Sequence, residues 1–237
     1  MILAAGLGTR LKRWTDTHPK ALAVVRGKTL LERQIRYLQK YGIFEVVVNV
    51  HHFAGQIIQE VEENDGWGST VFISNEVEEA LETGGGLKYA SHLLQDSNPV
   101  VLMNVDILTD LDLSEMIRFH QAKKGVATLA VSDRTTSRYF LFDNDNRLCG
   151  WTNAKTGVKR IAREVSPLAR KAFSGIHIID RKLFSLLPAE AKFSMVDVYL
   201  EIAGSHPVYG FDHSGGVFLD VGKPEALELA QQMAEEL

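Results

Sequence analysis

The sequence predicts an α/β fold: a mostly parallel mixed sheet flanked by helices, with a small β-rich elaboration. Three observations carry this. Short β-branched apolar runs recur without strict polar alternation, as in strands buried on both faces. Amphipathic segments lie between them. After about residue 131 the pattern shifts to hairpin-like pairs of strands.

The elements follow in order. "MILAAG" opens the chain as a strand, and "EVVVNV" (45–50), "STVFIS" (69–74), "PVVLMNVD" (99–106) and "VATLAV" (126–131) repeat the pattern. Residues 29–41 place Leu30, Leu31, Ile35 and Leu38 at helical spacing, and Gly42 ends the helix. Residues 53–63 and 86–95 read as further helices. Strand and helix alternating through residue 131 imply right-handed βαβ units and a largely parallel sheet. Beyond it, "RYFLFDNDNRLCGWTN" (138–153) reads as a hairpin and "AFSGIHIID" (172–180) as a strand. "SMVD" (194–197) has capping-box spacing before a helix, and "HSGGVFLDVGKPEAL" (213–227) runs turn, strand, then a helix with Pro224 in its first turn. No repeat or linker interrupts the chain, so residues 1–237 read as one domain.

Composition narrows the function. The 237 residues are 45% hydrophobic, enough for a sizeable core, and carry a formal charge of −4, which gives no global field for nucleic acid. Cys149 is the one cysteine, so neither an internal disulfide nor a thiolate zinc cage is expected. No signal peptide and no apolar run of membrane-spanning length stand out, which leads us to expect a cytoplasmic protein without a membrane partner.

The opening "LAAGLGTRLKRWTDTHPKAL" (3–22) holds the sharpest signal. A glycine loop between strand and helix presents converging backbone N–H groups and suits phosphate. The dinucleotide pattern G-x-G-x-x-G fails, because Leu11 stands where its last glycine would fall; the Walker A pattern fails for want of Gly-Lys-Ser/Thr. A loop wrapped around a triphosphate uses every residue present. Gly6 and Gly8 allow close approach, Thr9 donates, Arg10 faces the leaving phosphates, and Lys20, after rigid Pro19, reaches the α-phosphate or a second substrate's phosphate.

"LAAGLGTRL…PKAL" resembles the signature of the sugar-1-phosphate nucleotidyltransferases, and the similarity runs over nearly the whole chain. The chain's compact length and "LETGGG" resemble N-acetylmuramate-1-phosphate uridylyltransferases, and mannose- or heptose-1-phosphate guanylyltransferases of similar size come next. The resemblance implies a Rossmann-like nucleotide-diphospho-sugar transferase fold, with a nucleotide-binding part (1–131) and a sugar-binding part (132–237). It implies NTP and sugar 1-phosphate as substrates, Mg²⁺ as cofactor, and a monomer or homodimer. "LETGGGL" (81–87) resembles the segment over base and sugar, "MNVDIL" (103–108) a strand end with a metal-binding Asp106, "FSGIHII" (173–179) a sugar-facing strand, and "FLDVGKPEAL" (218–227) the motif with a second metal-binding residue, Asp220. The chain departs from the family in two ways. Relatives commonly have one or two more residues before the first strand, and many have glycine where Val105 stands; a side chain there narrows the sugar pocket.

The remaining residues complete the expectation. Leu3, Ala4, Ala5, Gly6 and Gly8 form the nucleotide loop, with Asn75 and Glu76 as side-chain readers of the base. Gly84 and Gly85 are expected to lie flat against base and ribose. Asn153, Ser174 and Gly175 are expected to meet the sugar. The adjacent His51 and His52 point to opposite faces of a strand and form no metal site. Trp67 and Trp151 read as hydrophobic anchors, and Lys155, Lys159, Arg160 and Arg163 as an exposed basic loop. Two rival functions stay open: a cytidylyltransferase for a non-sugar phosphate such as phosphocholine, against which "LETGGG" and "FLDVGKPEAL" argue, and a non-catalytic nucleotide-sugar sensor, against which the joint presence of Arg10, Lys20, Asp106 and Asp220 argues.

Overall fold

A computed structural model describes residues 1–8, 14–222 and 224–232. Its strands are β1 (Ile2–Leu3), β2 (Val24–Val25), β3 (Lys28–Thr29), β4 (Glu45–Val50), β5 (Thr70–Asn75), β6 (Val100–Asn104), β7 (Ile107–Thr109), β8 (Ala127–Ser132), β9 (Arg138–Phe142), β10 (Leu148–Asn153), β11 (Lys159–Ile161), β12 (Ala169–Ile179), β13 (Val208–Asp212) and β14 (Phe218–Asp220). The helices are α1 (Leu30–Lys40), α2 (Ala54–Glu63), α3 (Glu82–Tyr89), α4 (Leu113–Lys123), α5 (Met195–Ile202) and α6 (Pro224–Gln232).

Ten strands form one mixed sheet. Its first half, in the order β5-β4-β1-β6, is wholly parallel. Side chains there alternate between two cores, as strand geometry demands. Ile2, Val46, Val48 and Val50 face the core made with α1, α2 and α4, whereas Leu3 and Val47 face the core made with α3 and α5. Burial on both faces is why β1, β4 and β6 read as continuous apolar runs; β5, expected to be buried likewise, lies at the sheet's edge with Thr70 and Phe72 exposed.

The long strand β12 turns the sheet. It runs antiparallel to β6 on one side and to β8 and β9 on the other, and its register shifts between Phe173 and His177. The expected continuation of parallel βαβ units through "VATLAV" therefore stops at β6: β8 joins through antiparallel pairing with β12, and its parallel neighbour is β13. Periodicity reports burial, not strand direction, so this was invisible in the sequence. The hairpin of β9 and β10 extends the sheet as expected, ending at β11.

A second difference has a local cause. Helix α3 begins at Glu82, not near residue 86, because its glycines pack against another segment instead of forming a loop. Helix α1 matches its expected start, with Thr29 Oγ1 accepting the Glu32 N–H as N-cap.

Candidate active site

The carboxyl ends of β1, β4 and β6, with the start of α3, surround a cavity of about 360 Å³. In a parallel sheet this is where loops diverge and ligands fit. Leu3, Ala4, Ala5, Gly6 and Gly8 form one wall, and Lys20, Val105 and Asp106 another. Gly8 has φ +61, a conformation suited to glycine. A Cβ there would also lie 2.8 Å from Thr15 Cγ2 and 3.0 Å from Lys20 Cβ, so the loop folds tightly over the base of Lys20. Thr9 and Arg10 lie outside the described residues.

A hydrogen-bonded chain fixes the opposite wall. Ala4 N–H donates to Asn49 Oδ1 (2.8 Å), Asn49 Nδ2 donates to Glu76 Oε1 (2.6 Å), and Leu81 N–H donates to Glu76 Oε2 (2.8 Å). Asn49 and Glu76 are both 2% exposed. Buried polar groups hold position when fully paired, so this chain ties the loop after β1 to the segment entering α3. Asn49 and Thr83, which also line the cavity, went unnoticed in the sequence. An asparagine inside the otherwise valine-rich "EVVVNV" was the signal for the first. Asn75 ends β5, half-buried, and is not among the lining residues.

The backbones of the two aspartates meet, while Asp106 lines the smaller cavity and Asp220 a different one. Asp106 sits in the two-residue turn between β6 and β7, and Asp220 ends β14, which pairs antiparallel with β7 so that Asp220 stands opposite Ile107. The Val221 N–H donates to the Asp106 carbonyl (2.8 Å), locking the two backbones together. The Asp106 carboxylate is paired with the Lys20 ammonium, with side chains 12% and 10% exposed. Asp220 faces a second, larger cleft of about 980 Å³, whose lining includes Arg134, Arg138, Phe140, Trp151 and Phe173. Arg134 is held in place: its Nη2 donates to the Phe173 carbonyl (2.5 Å) and its guanidinium lies 4.6 Å from the Phe218 ring centroid. Burial lowers the pKa of this guanidinium, and the negative charge of Asp220 works against that shift.

The three expected sugar residues occupy distinct settings. Ser174 is buried, and its Oγ lies 2.8 Å from His213 Nε2. Burial lowers the pKa of His213, against the raising influence of Asp212 and Asp110. Gly175 packs against Asn104, whose Nδ2 would lie 2.8 Å from an added Cβ. Asn153 caps a turn beside the larger cleft, its Oδ1 accepting the Lys155 N–H (3.0 Å).

Gly84 and Gly85 require a correction. Neither lines the cavity. A Cβ on Gly84 would overlap the Phe193 ring, and one on Gly85 the Ala191 carbonyl; the N–H groups of both donate to the Phe193 carbonyl (2.9 and 3.1 Å). Gly84 and Gly85 dock α3 on residues 191–193, and Gly86 lies against Glu76 and Asn49, which leaves the first residues of α3, Glu82 and Thr83, at the cavity. His51 Nδ1 contacts the Glu76 carbonyl (2.5 Å), and no group of three or more His, Cys, Asp or Glu side chains among the described residues forms a metal cage. Trp67 packs at the edge of one core, whereas Trp151 borders the other and also lines the larger cleft. The basic stretch is only partly free: Arg160 pairs with Asp197 and Arg163 with Asp143. No helix among the described residues is long and apolar enough to cross a membrane.

A mixed sheet flanked by helices, with a glycine loop, Lys20 and Asp106 at the carboxyl edge of its parallel half, defines a protein of the α/β class. The chain belongs to the nucleotidyl transferase family, whose model matches residues 1–236. It is 31% identical over 234 residues to the N-acetylmuramate alpha-1-phosphate uridylyltransferase of Caulobacter vibrioides, covering 95% of this chain and 92% of that protein. It is 26% identical to a mannose-1-phosphate guanyltransferase of Debaryomyces hansenii, covering 95% of this chain but 61% of that longer protein. Among solved structures, HddC from Yersinia pseudotuberculosis complexed with GMP-PN superposes with a TM-score of 0.78 at 24% identity, covering 98% of this chain and 96% of that one; this likeness speaks to the fold. Members of this family are enzymes that generally use a divalent metal.

Proposed function

We propose that this enzyme transfers a nucleotidyl group from an NTP, UTP in the first instance, to N-acetylmuramate 1-phosphate or a related hexose 1-phosphate, releasing pyrophosphate. One observation carries the reading: Lys20 and Asp106, 86 residues apart, are paired in the wall of the cavity that the glycine loop closes. A phosphate-binding cation and a metal-binding carboxylate at one point are what two meeting phosphates require. A sugar phosphate oxygen attacks the α-phosphorus, the bond to the β-phosphate's bridging oxygen breaks, and pyrophosphate leaves with that electron pair. The attacking phosphate is already ionised near neutral pH, so no general base is needed. Catalysis is then alignment and charge neutralisation.

Lys20 orients the two phosphates in this reading, and Arg10 holds the leaving pyrophosphate. The nucleotide lies along Leu3 to Gly8 and Thr9, with Glu76 behind the base and the sugar toward Ser174, Gly175 and the larger cleft. Asp106 and Asp220 would hold Mg²⁺: two carboxylates beside open space suit an ion that takes carboxylate and phosphate oxygens and keeps several waters. When bound, it neutralises phosphate charge and polarises the phosphoryl oxygens. Pyrophosphate release measured for UTP, GTP, CTP and dTTP against N-acetylmuramate, mannose, heptose and glucose 1-phosphates and against phosphocholine tests the proposal. Activity confined to phosphocholine with CTP, or none with any pair, would refute it. The guanylyl reading gains only if GTP with mannose or heptose 1-phosphate is the preferred pair.

A further inference from the structure

The larger cleft carries a charge pattern that transfer to a simple hexose 1-phosphate does not require. Arg134, Arg138 and Lys155 line it against one carboxylate, Asp220, in a chain of net charge −4. Arg134 is engaged by the Phe173 carbonyl and the Phe218 ring and faces Asp220. Elsewhere in this half of the molecule, Arg160, Arg163 and Lys171 are each matched to an aspartate. Arg138 and Lys155 are exposed, and neither forms an ion pair among the described residues.

Strand register explains how the two cations come together. In the β9–β10 pair, Phe140 stands opposite Trp151 and Arg138 opposite Asn153. Opposed residues share a face, so Arg138 continues the aromatic wall of Phe140 and Trp151 along the cleft. Lys155 follows two residues after Asn153, in the turn that Asn153 Oδ1 holds by accepting the Lys155 and Thr156 N–H groups. The cleft thus has an aromatic wall and two uncompensated cations at one rim, with Asp220 among its lining residues.

We propose that this cleft selects a sugar 1-phosphate that bears a second anionic group, a carboxylate or a further phosphate, held by Arg138 and Lys155. The inference rests on the transferase reading above and narrows its acceptor. With the 1-phosphate at Lys20 and Asp106, the sugar extends past Asp220 along Phe140 and Trp151, and its distal anion meets the two cations. An arginine there offers a planar fork suited to either anion, and lysine adds a flexible point charge.

The test is steady-state pyrophosphate release with the preferred NTP and two matched pairs of acceptors. N-acetylmuramate 1-phosphate is compared with N-acetylglucosamine 1-phosphate for a carboxylate, and glucose 1,6-bisphosphate with glucose 1-phosphate for a phosphate. The acidic member of at least one pair should have a kcat/KM about tenfold higher, carried mainly by KM, which is the scale of one partly exposed charge-assisted hydrogen bond. Arg138→Gln and Lys155→Gln should each shrink that ratio by roughly threefold or more, and Arg138→Lys should retain most of it. Equal use of both members of both pairs, or a ratio unmoved by either glutamine variant, would overturn the selectivity and leave the transferase reading standing. Silence from all four acceptors, and from mannose and heptose 1-phosphates as well, would overturn both.

Discussion

The Lys20 ammonium and the Asp106 carboxylate are paired at the edge of the smaller cavity, with about a tenth of each side chain exposed. Neither residue's immediate sequence calls for the other. They meet because the segment after Pro19 and the turn after β6 both end at the carboxyl edge of the parallel strands.

That pairing makes Lys20→Met informative in two ways. It removes the cation proposed to align the phosphates, so kcat should fall about 10²- to 10³-fold, the scale seen for single electrostatic donors. It also leaves the Asp106 carboxylate without its partner and should cost about 1–3 kcal/mol of stability, less than in a dry interior because the cavity admits water. Turnover assays and thermal melts on the same preparation separate the effects. A folded variant with near-normal turnover contradicts the assigned role.

Glycines around the site have different jobs, and alanine substitution should sort them. Gly85→Ala drives a methyl into the Ala191 carbonyl, so its melting temperature should drop by several degrees, equivalent to about 1–3 kcal/mol. Gly6→Ala meets no atom within 4 Å, so its melting temperature should stay close to the parent's. If the nucleotide lies against that loop, the KM for NTP in Gly6→Ala should nevertheless rise about tenfold. Equal melting temperatures for the two variants would contradict the packing account of the triplet.

Asn49 bridges Ala4 and Glu76, so Asn49→Ala leaves a buried N–H and a buried carboxylate oxygen without their partner at once. Each loss costs about 1–3 kcal/mol. Thermal denaturation should show a combined drop near the sum, and NTP binding should weaken as the loop after β1 loses its anchor. A change within about 0.5 kcal/mol would mean that water replaces the side chain in full.

His177 supplies a pH prediction. It is 2% exposed, its Nδ1 lies 2.6 Å from the Tyr199 hydroxyl, and burial pushes its pKa down to about 3. Because the folded value lies below the unfolded value of about 6.5, the unfolded chain binds the proton more readily between them. Stability is therefore full above pH 6.5 and falls as pH drops toward 3, by up to about 1.4 kcal/mol per pH unit from this group. His177→Gln should be less stable at pH 7.5 yet lose less between pH 7.5 and 5.5. Parallel curves for the two proteins would show that His177 does not stay neutral when folded.

How much of this was written in the sequence depends on what each signal encodes. Burial is encoded, so β4, β6 and the apolar face of α1 stood out as valine- and leucine-rich runs. Strand direction is not, so the antiparallel insertion of β12 between β6 and β8 could not be read. Asp106 and Asp220 looked like two strand-end acids, and only the β7–β14 pairing brings their backbones together. Gly84 and Gly85 announced a close approach, but their sequence neighbours do not reveal that Phe193 and Ala191, more than a hundred residues on, are what approaches. Asn49 and Arg138 were silent because their importance comes from cross-strand partners.

The most direct measurement is a Mg²⁺ titration of pyrophosphate release from NTP and sugar 1-phosphate, run on the parent enzyme, Asp106→Asn and Asp220→Asn. Saturable Mg²⁺ dependence in the parent, lost at least about a hundredfold in both variants while their folds persist, is the predicted result. Pyrophosphate release by either variant at the parent's rate and Mg²⁺ dependence would contradict the account.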